Sequence, residues 1–117
     1  MGEVDQLREK LRDFARRRDW EQFHSPKNLA SALIVEAAEL LEHFQWLTEQ
    51  QSRQLDEKVR QEVAMEMADV FIYLLRIADQ LDVDLVQAAH DKMAINETRY
   101  PEELSRGTAK RPQVTDK

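Results

Sequence analysis

The chain has 117 residues, no cysteine, two glycines, three prolines, 34% charged residues and a formal net charge of −6. That length suits one domain with a real core, and the lack of cysteine excludes a disulfide framework, thiolate ligation and a cysteine nucleophile. The acidic balance argues against a nucleic-acid polymer as partner, and without a signal-type or membrane-length apolar run a cytoplasmic protein with no membrane association is expected.

Few Gly and Pro, with abundant Leu, Ala, Glu and Gln, predict an all-α fold. Val4, Leu7, Leu11 and Phe14 recur at three- and four-residue steps, which predicts a first amphipathic helix from Gly2 to about Asp19. Trp20, Phe23, His24 and Ser25 form an aromatic connector, and Ser25 before Pro26 reads as an N-cap followed by Pro at the first helical position. The second helix is expected to reach about Trp46. The polar stretch Thr48 to Leu55 reads as a loop or a short helical turn, and a long third helix runs from about Ser52 to Leu81. Asp82 or Asp84 caps a fourth helix ending near Arg99. Residues 1–100 make up the domain. Residues 101–117 hold almost no apolar side chains and include Gly107 and Pro112, the composition of a disordered tail.

Two acidic signatures, Glu36-Ala37-Ala38-Glu39 and Glu66-Met67-Ala68-Asp69, stand out. Spacing alone says little: 23 of the 117 residues are acidic, so chance supplies about four or five acid-x-x-acid pairs. Glu39 with Glu42 and Asp79 with Asp82 are others. The helical neighbourhood discriminates. At about 100° per residue, Glu36 falls among Leu29, Leu33, Leu40 and Leu47, and Glu66 among Val59, Val63, Val70, Tyr73 and Ile77. Acids on an apolar stripe are costly unless paired or metal-bound. Two such helices packed together aim Glu36, Glu39, Glu66 and Asp69 at one point, and carboxylate-only ligation suits a hard ion such as Mg²⁺, with Mn²⁺ as a substitute. The competing expectation is that these acids sit on helix edges and pair with Arg or Lys.

Lys92, Asn96 and Arg99 share one face of the predicted fourth helix, followed by Tyr100. A Lys and an Arg two turns apart suit a phosphate chain, with Asn96 adding a hydrogen bond; a snorkelling Lys and a dipole-favoured Arg explain the same pattern. Trp20, Phe23, His24 and Trp46 sit at predicted helix ends, where an indole either stacks on a planar base or simply caps the fold.

These residues fall in the order of a known pattern. Arg18-Asp19-Trp20-Glu21-Gln22-Phe23-His24-Ser25-Pro26-Lys27-Asn28-Leu29 resembles the opening of the all-α nucleotide pyrophosphohydrolases, most closely the dCTP pyrophosphatase branch of the MazG-like superfamily. The resemblance continues through Glu36-x-x-Glu39, Phe44-Gln45-Trp46, Glu66-x-x-Asp69-Val70 with Tyr73, and Lys92-x-x-x-Asn96-x-x-Arg99-Tyr100-Pro101. It implies a four-helix protomer, a homotetramer built as a dimer of dimers, and Mg²⁺-dependent hydrolysis of a nucleoside triphosphate, dCTP or a modified dCTP, to the monophosphate and pyrophosphate. The matching positions make Glu36, Glu39, Glu66 and Asp69 metal ligands. Lys92, Asn96, Arg99, Tyr100 and Tyr73 become phosphate-handling residues, and Trp20, His24, Asn28 and Trp46 the base and sugar pocket. Some eukaryotic members carry His where this chain has Leu11. Glu39 is the candidate general base, and Lys92 stabilises the leaving group. Two other classes compete. A ferritin-like di-iron bundle calls for Glu-x-x-His pairs, which neither signature supplies. A non-catalytic helical oligomeric interaction module would instead pair the acids in an interface.

Overall fold

Short polar side chains that accept from backbone N–H groups set where the helices begin. Ser25 Oγ accepts from Asn28 N at 3.1 Å and Asp56 Oδ1 from Val59 N at 2.9 Å. Asp84 Oδ1 does the same for Gln87 N at 3.0 Å, each satisfying a donor that the first helical turn leaves open. The computed structural model describes residues 2–112. Its α-helices are α1 (Glu3–Arg17), α2 (Pro26–Glu42), α3 (Glu49–Ser52), α4 (Glu57–Gln80), α5 (Leu85–Arg99) and α6 (Glu102–Ser105), with a 3₁₀ turn at Glu21–Phe23. No strand occurs among the described residues, and no helix is long and apolar enough to cross a membrane.

The chain divides into two compact units between Asp82 and Val83. In the first, α2 and α1 both pack on α4. Ala15, Leu29, Val63, Leu75 and Ala78 form its buried apolar core. The second unit carries α5 and α6. Tyr100 is the C-cap of α5 and donates its N–H to Asn96 O at 2.8 Å.

Two boundaries differ from expectation. The second helix stops at Glu42, four residues short of Trp46. Beyond it three-residue bonds take over, Phe44 N to Leu41 O at 2.9 Å and Leu47 N to Phe44 O at 2.9 Å; His43, Phe44 and Trp46 are residues of middling helix propensity. The third long helix begins at Glu57 rather than Ser52. A capping box at Thr48 and Gln51 spends residues 49–52 on the separate turn α3, and Asp56 starts α4 afresh. The tail expected to be disordered contains α6 in its nearer part, and residues 113–117 lie outside the described residues.

The C-terminus of α1 decides where the aromatic connector lies. Asp19 adopts a left-handed conformation (φ 56), tolerated by Asp. Asp19 N donates to Arg16 O at 3.1 Å and Trp20 N to Ala15 O at 2.9 Å, the paired bonds of a Schellman turn. That reversal folds Trp20 back onto α1, edge-on to Phe14 with ring centroids 5.8 Å apart, and brings His24 to 6.1 Å from the indole.

Candidate metal and nucleotide site

Glu36 and Glu39 on α2 meet Glu66 on α4, one carboxylate oxygen from each lying within 4.8 Å of the others. The α2–α4 packing causes this, because Leu29, Leu33 and Leu40 share the Glu36 face and Val63 and Val70 share that of Glu66. Burying those stripes brings the acids together with them. All three are half-buried. Glu36 Oε2 and Glu66 Oε2 are shielded from solvent and accept no hydrogen bond, although buried polar atoms are normally satisfied. Burial first, then a hydrogen bond and charge from Glu39 and the charges of Asp69 and Glu66, push the Glu36 carboxyl up to about 7. Glu66 is also raised, by burial and then by Glu39, with His43 opposing.

An orphaned oxygen on each of two helices, in an all-oxygen donor set with surplus negative charge, fits a hard divalent cation. Asp69 is not in the close trio. It is exposed and acts on Glu36 and Glu66 through its charge. His43 lies beside the trio rather than in it, Nε2 3.8 Å from Glu66 Oε1 and Nδ1 4.0 Å from Glu62 Oε2.

The raised carboxyls carry a stability prediction for the metal-free protein. A group whose folded pKa exceeds its unfolded value binds more protons folded, so stability falls as pH rises between the two values. Melting of the protein in EDTA should therefore lose several degrees between pH 5 and pH 8. Added Mg²⁺ should restore more at pH 8 than at pH 5, because binding then needs no proton displaced. Equal Mg²⁺ effects at both pH values would contradict the cluster.

Asp69 also borders a cavity of about 260 Å³ in the same unit, lined among others by Leu11, Phe14, Trp20, His24, Tyr73 and Arg76. Trp20, His24 and Tyr73, expected to touch nucleotide, thus share one wall. Asn28 does not line it; its side chain donates to Phe23 O at 3.0 Å, bracing the connector. Trp46 is 87% exposed, in the turns after α2. Lys92, Asn96 and Arg99 fall at three- and four-residue steps on one face of α5, ending at Tyr100.

Sequence patterning missed Arg76. It is 3% exposed and sits one turn past Tyr73 on the Glu66–Asp69–Tyr73 face, so a cation on an apolar stripe was the available signal. Its Nη1 donates to Asp79 Oδ2 at 3.2 Å and its Nη2 lies 3.5 Å from His24 Nδ1. Arg12 on α1 clasps both Asp79 oxygens, Nε to Oδ2 at 3.0 Å and Nη2 to Oδ1, and Arg8 Nε stands 3.9 Å away. The Arg12 bond, against the opposing effect of burial, holds the Asp79 carboxyl below its usual range. Burial and the Arg76 charge lower the His24 pKa, leaving the ring neutral near pH 7.

The MazG-like family matches over residues 32–113. The mouse (Mus musculus) dCTP pyrophosphatase 1 is 45% identical over 108 residues, covering 91% of this chain and 64% of that protein. The human (Homo sapiens) dCTP pyrophosphatase 1 is 41% identical over 110 residues, with coverages of 92% and 65%. The chain thus spans just under two thirds of the length of these curated relatives. Among solved structures, the crystal structure of a pyrophosphatase from Archaeoglobus fulgidus superposes with a TM-score of 0.81 at 39% identity, covering 86% of this chain and 94% of that one.

Proposed function

The chain belongs to the MazG-like family, and from that premise we propose that it is a Mg²⁺-dependent nucleoside triphosphate pyrophosphohydrolase that converts dCTP or a modified dCTP to the monophosphate and pyrophosphate. The observation that carries this reading is the convergence of Glu36, Glu39 and Glu66 with two buried, unpartnered oxygens, beside a cavity walled by Trp20, His24 and Tyr73. Glu36, Glu39, Glu66 and Asp69 hold the cation. When bound, Mg²⁺ (or Mn²⁺) supplies neutralisation of phosphate charge and a lowered pKa for a coordinated water.

The protein's own residues divide the remaining work. Glu39 takes the proton of the water whose oxygen attacks the α-phosphorus, as the bond to the α–β bridging oxygen breaks and pyrophosphate departs. Lys92 and Arg99 stabilise the charge that collects on the departing group, and Asn96, Tyr100 and Tyr73 bind phosphate oxygens. Trp20 stacks on the base and His24 meets its edge; Asn28 serves the base and sugar pocket from outside the cavity by bracing the connector that carries both, and the exposed Trp46 is offered to the pocket of a neighbouring subunit. Ile34, Val35 and Leu41 on α2 and Met65, Met67, Phe71 and Leu74 on α4 are exposed. Exposed apolar side chains in such number mark an interaction surface, which supports self-association; a homotetramer of four-helix protomers arranged as a dimer of dimers is the form that the family resemblance implies.

The deciding experiment measures pyrophosphate release from dCTP, 5-methyl-dCTP, dUTP, dTTP, dGTP and the ribonucleotides, with Mg²⁺, with Mn²⁺ and with EDTA. Turnover should need the metal, and kcat/KM should be highest for dCTP or its 5-modified form. If no nucleotide is hydrolysed with either metal, the non-catalytic interaction module becomes the better reading.

A further inference from the structure

Arg76 is a buried cation with too little to bind. A guanidinium stays charged and carries five N–H donors. Here Nη1 spends one on Asp79 Oδ2 at 3.2 Å, and Nη2 approaches His24 Nδ1 only at 3.5 Å, the outer limit of a hydrogen bond. Nε is buried and finds no acceptor. Asp79 offers little more, since Arg12 holds both its oxygens and Arg8 stands at 3.9 Å. One carboxylate serves three guanidiniums, and the most buried of them donates a single bond to it. Leaving a buried charged donor unmatched is costly.

The same side chain lines the cavity shared by Trp20, His24 and Tyr73. Because its neighbour at Nδ1 is a pure donor, a neutral His24 accepts there and carries its proton on Nε2. Arg76 and His24 therefore offer donors to a ligand in this cavity. A ligand that meets them must bring acceptors, and a guanidinium fork suits two acceptors on adjacent ring positions.

Resting on the nucleotide reading above, we propose that Arg76, positioned by Asp79, is the specificity-determining residue of the base cavity and donates to the adjacent O2 and N3 acceptors of cytosine. Uracil and thymine put an N3–H between their carbonyls, so a donor there would meet a donor.

The test compares dCTP with 3-deaza-dCTP, in which N3 becomes C–H, using the full chain with Mg²⁺. Both pyrophosphate release and nucleotide binding are measured for wild type, Arg76→Met and Arg76→Lys, with each fold checked by circular dichroism. Wild type should favour dCTP by about 10-fold or more. The ratio should fall to near one in Arg76→Met, and several-fold in Arg76→Lys, which keeps the charge and loses the fork. Should Arg76→Met not fold, Arg76→Lys carries the comparison alone. A merely structural Arg76 would weaken both substrates equally and leave the ratio intact, and that result, or a wild-type ratio near one, overturns the proposal while the pyrophosphohydrolase reading stands. Failure of wild type to bind or hydrolyse any nucleotide overturns both.

Discussion

Glu36→Gln should cut Mg²⁺-dependent pyrophosphate release by about 10²–10³-fold while leaving the metal-free protein as stable as wild type or more so. The two effects have opposite signs for one reason. Gln keeps the volume and removes a charge that the fold holds against burial and against Glu39, Asp69 and Glu66. Without metal, that removal relieves repulsion; with metal, it deletes a ligand whose oxygen has no other partner. Melting curves at pH 8 with and without Mg²⁺, read beside turnover, separate this from a folding defect. Glu66→Gln should behave alike, and the exposed Glu42→Gln should change neither quantity. Full Mg²⁺-dependent turnover in both Glu36→Gln and Glu66→Gln would remove the catalytic assignment.

Asp79→Ala should be strongly destabilising, by about 3 kcal/mol or more. The Asp79 side chain is 9% exposed and Arg76 beside it 4%, so truncation strands a buried guanidinium that cannot lose its proton. Arg12→Ala should cost about 1 kcal/mol or less, because that side chain is 42% exposed and Asp79 retains Arg76. Urea unfolding distinguishes the two, and equal costs would contradict the assignment of Asp79 as Arg76's counter-ion. The pH dependence comes from the lowered Asp79 pKa. Its contribution is present above the unfolded carboxyl value and disappears as pH falls through the folded one, opposite in sign to that of Glu36.

Local chemistry was legible where it is self-sufficient. Ser25 before Pro26 announces a helix start because an N-cap needs only its own backbone three residues on. Glu36 among leucines is visible because helical periodicity fixes which residues share a face. The end of α2 was not legible, since bulky residues at positions 43–46 continue a helix or leave it according to what they pack against. Trp46 shows the same limit. Like Trp20 it stands at a helix end, yet only Trp20 is folded back by the Asp19 turn into the cavity wall.

The sequence by itself determined the all-α class, the capped start of α2, the acid pairs on apolar stripes and the family, because each is written in short-range spacing or in motif order; of the two caps it offered for α5, Asp82 and Asp84, the structure uses Asp84. The tertiary structure alone decided that Glu36, Glu39 and Glu66 meet while Asp69 stands apart from the trio. It also decided that Arg76 enters the cavity wall with donors unspent. Both depend on contacts between helices: the packing of α2 on α4 sets the separation of the carboxylates, and Arg12, 67 residues away along the chain, holds both oxygens of Asp79 and leaves Arg76 a single bond to it.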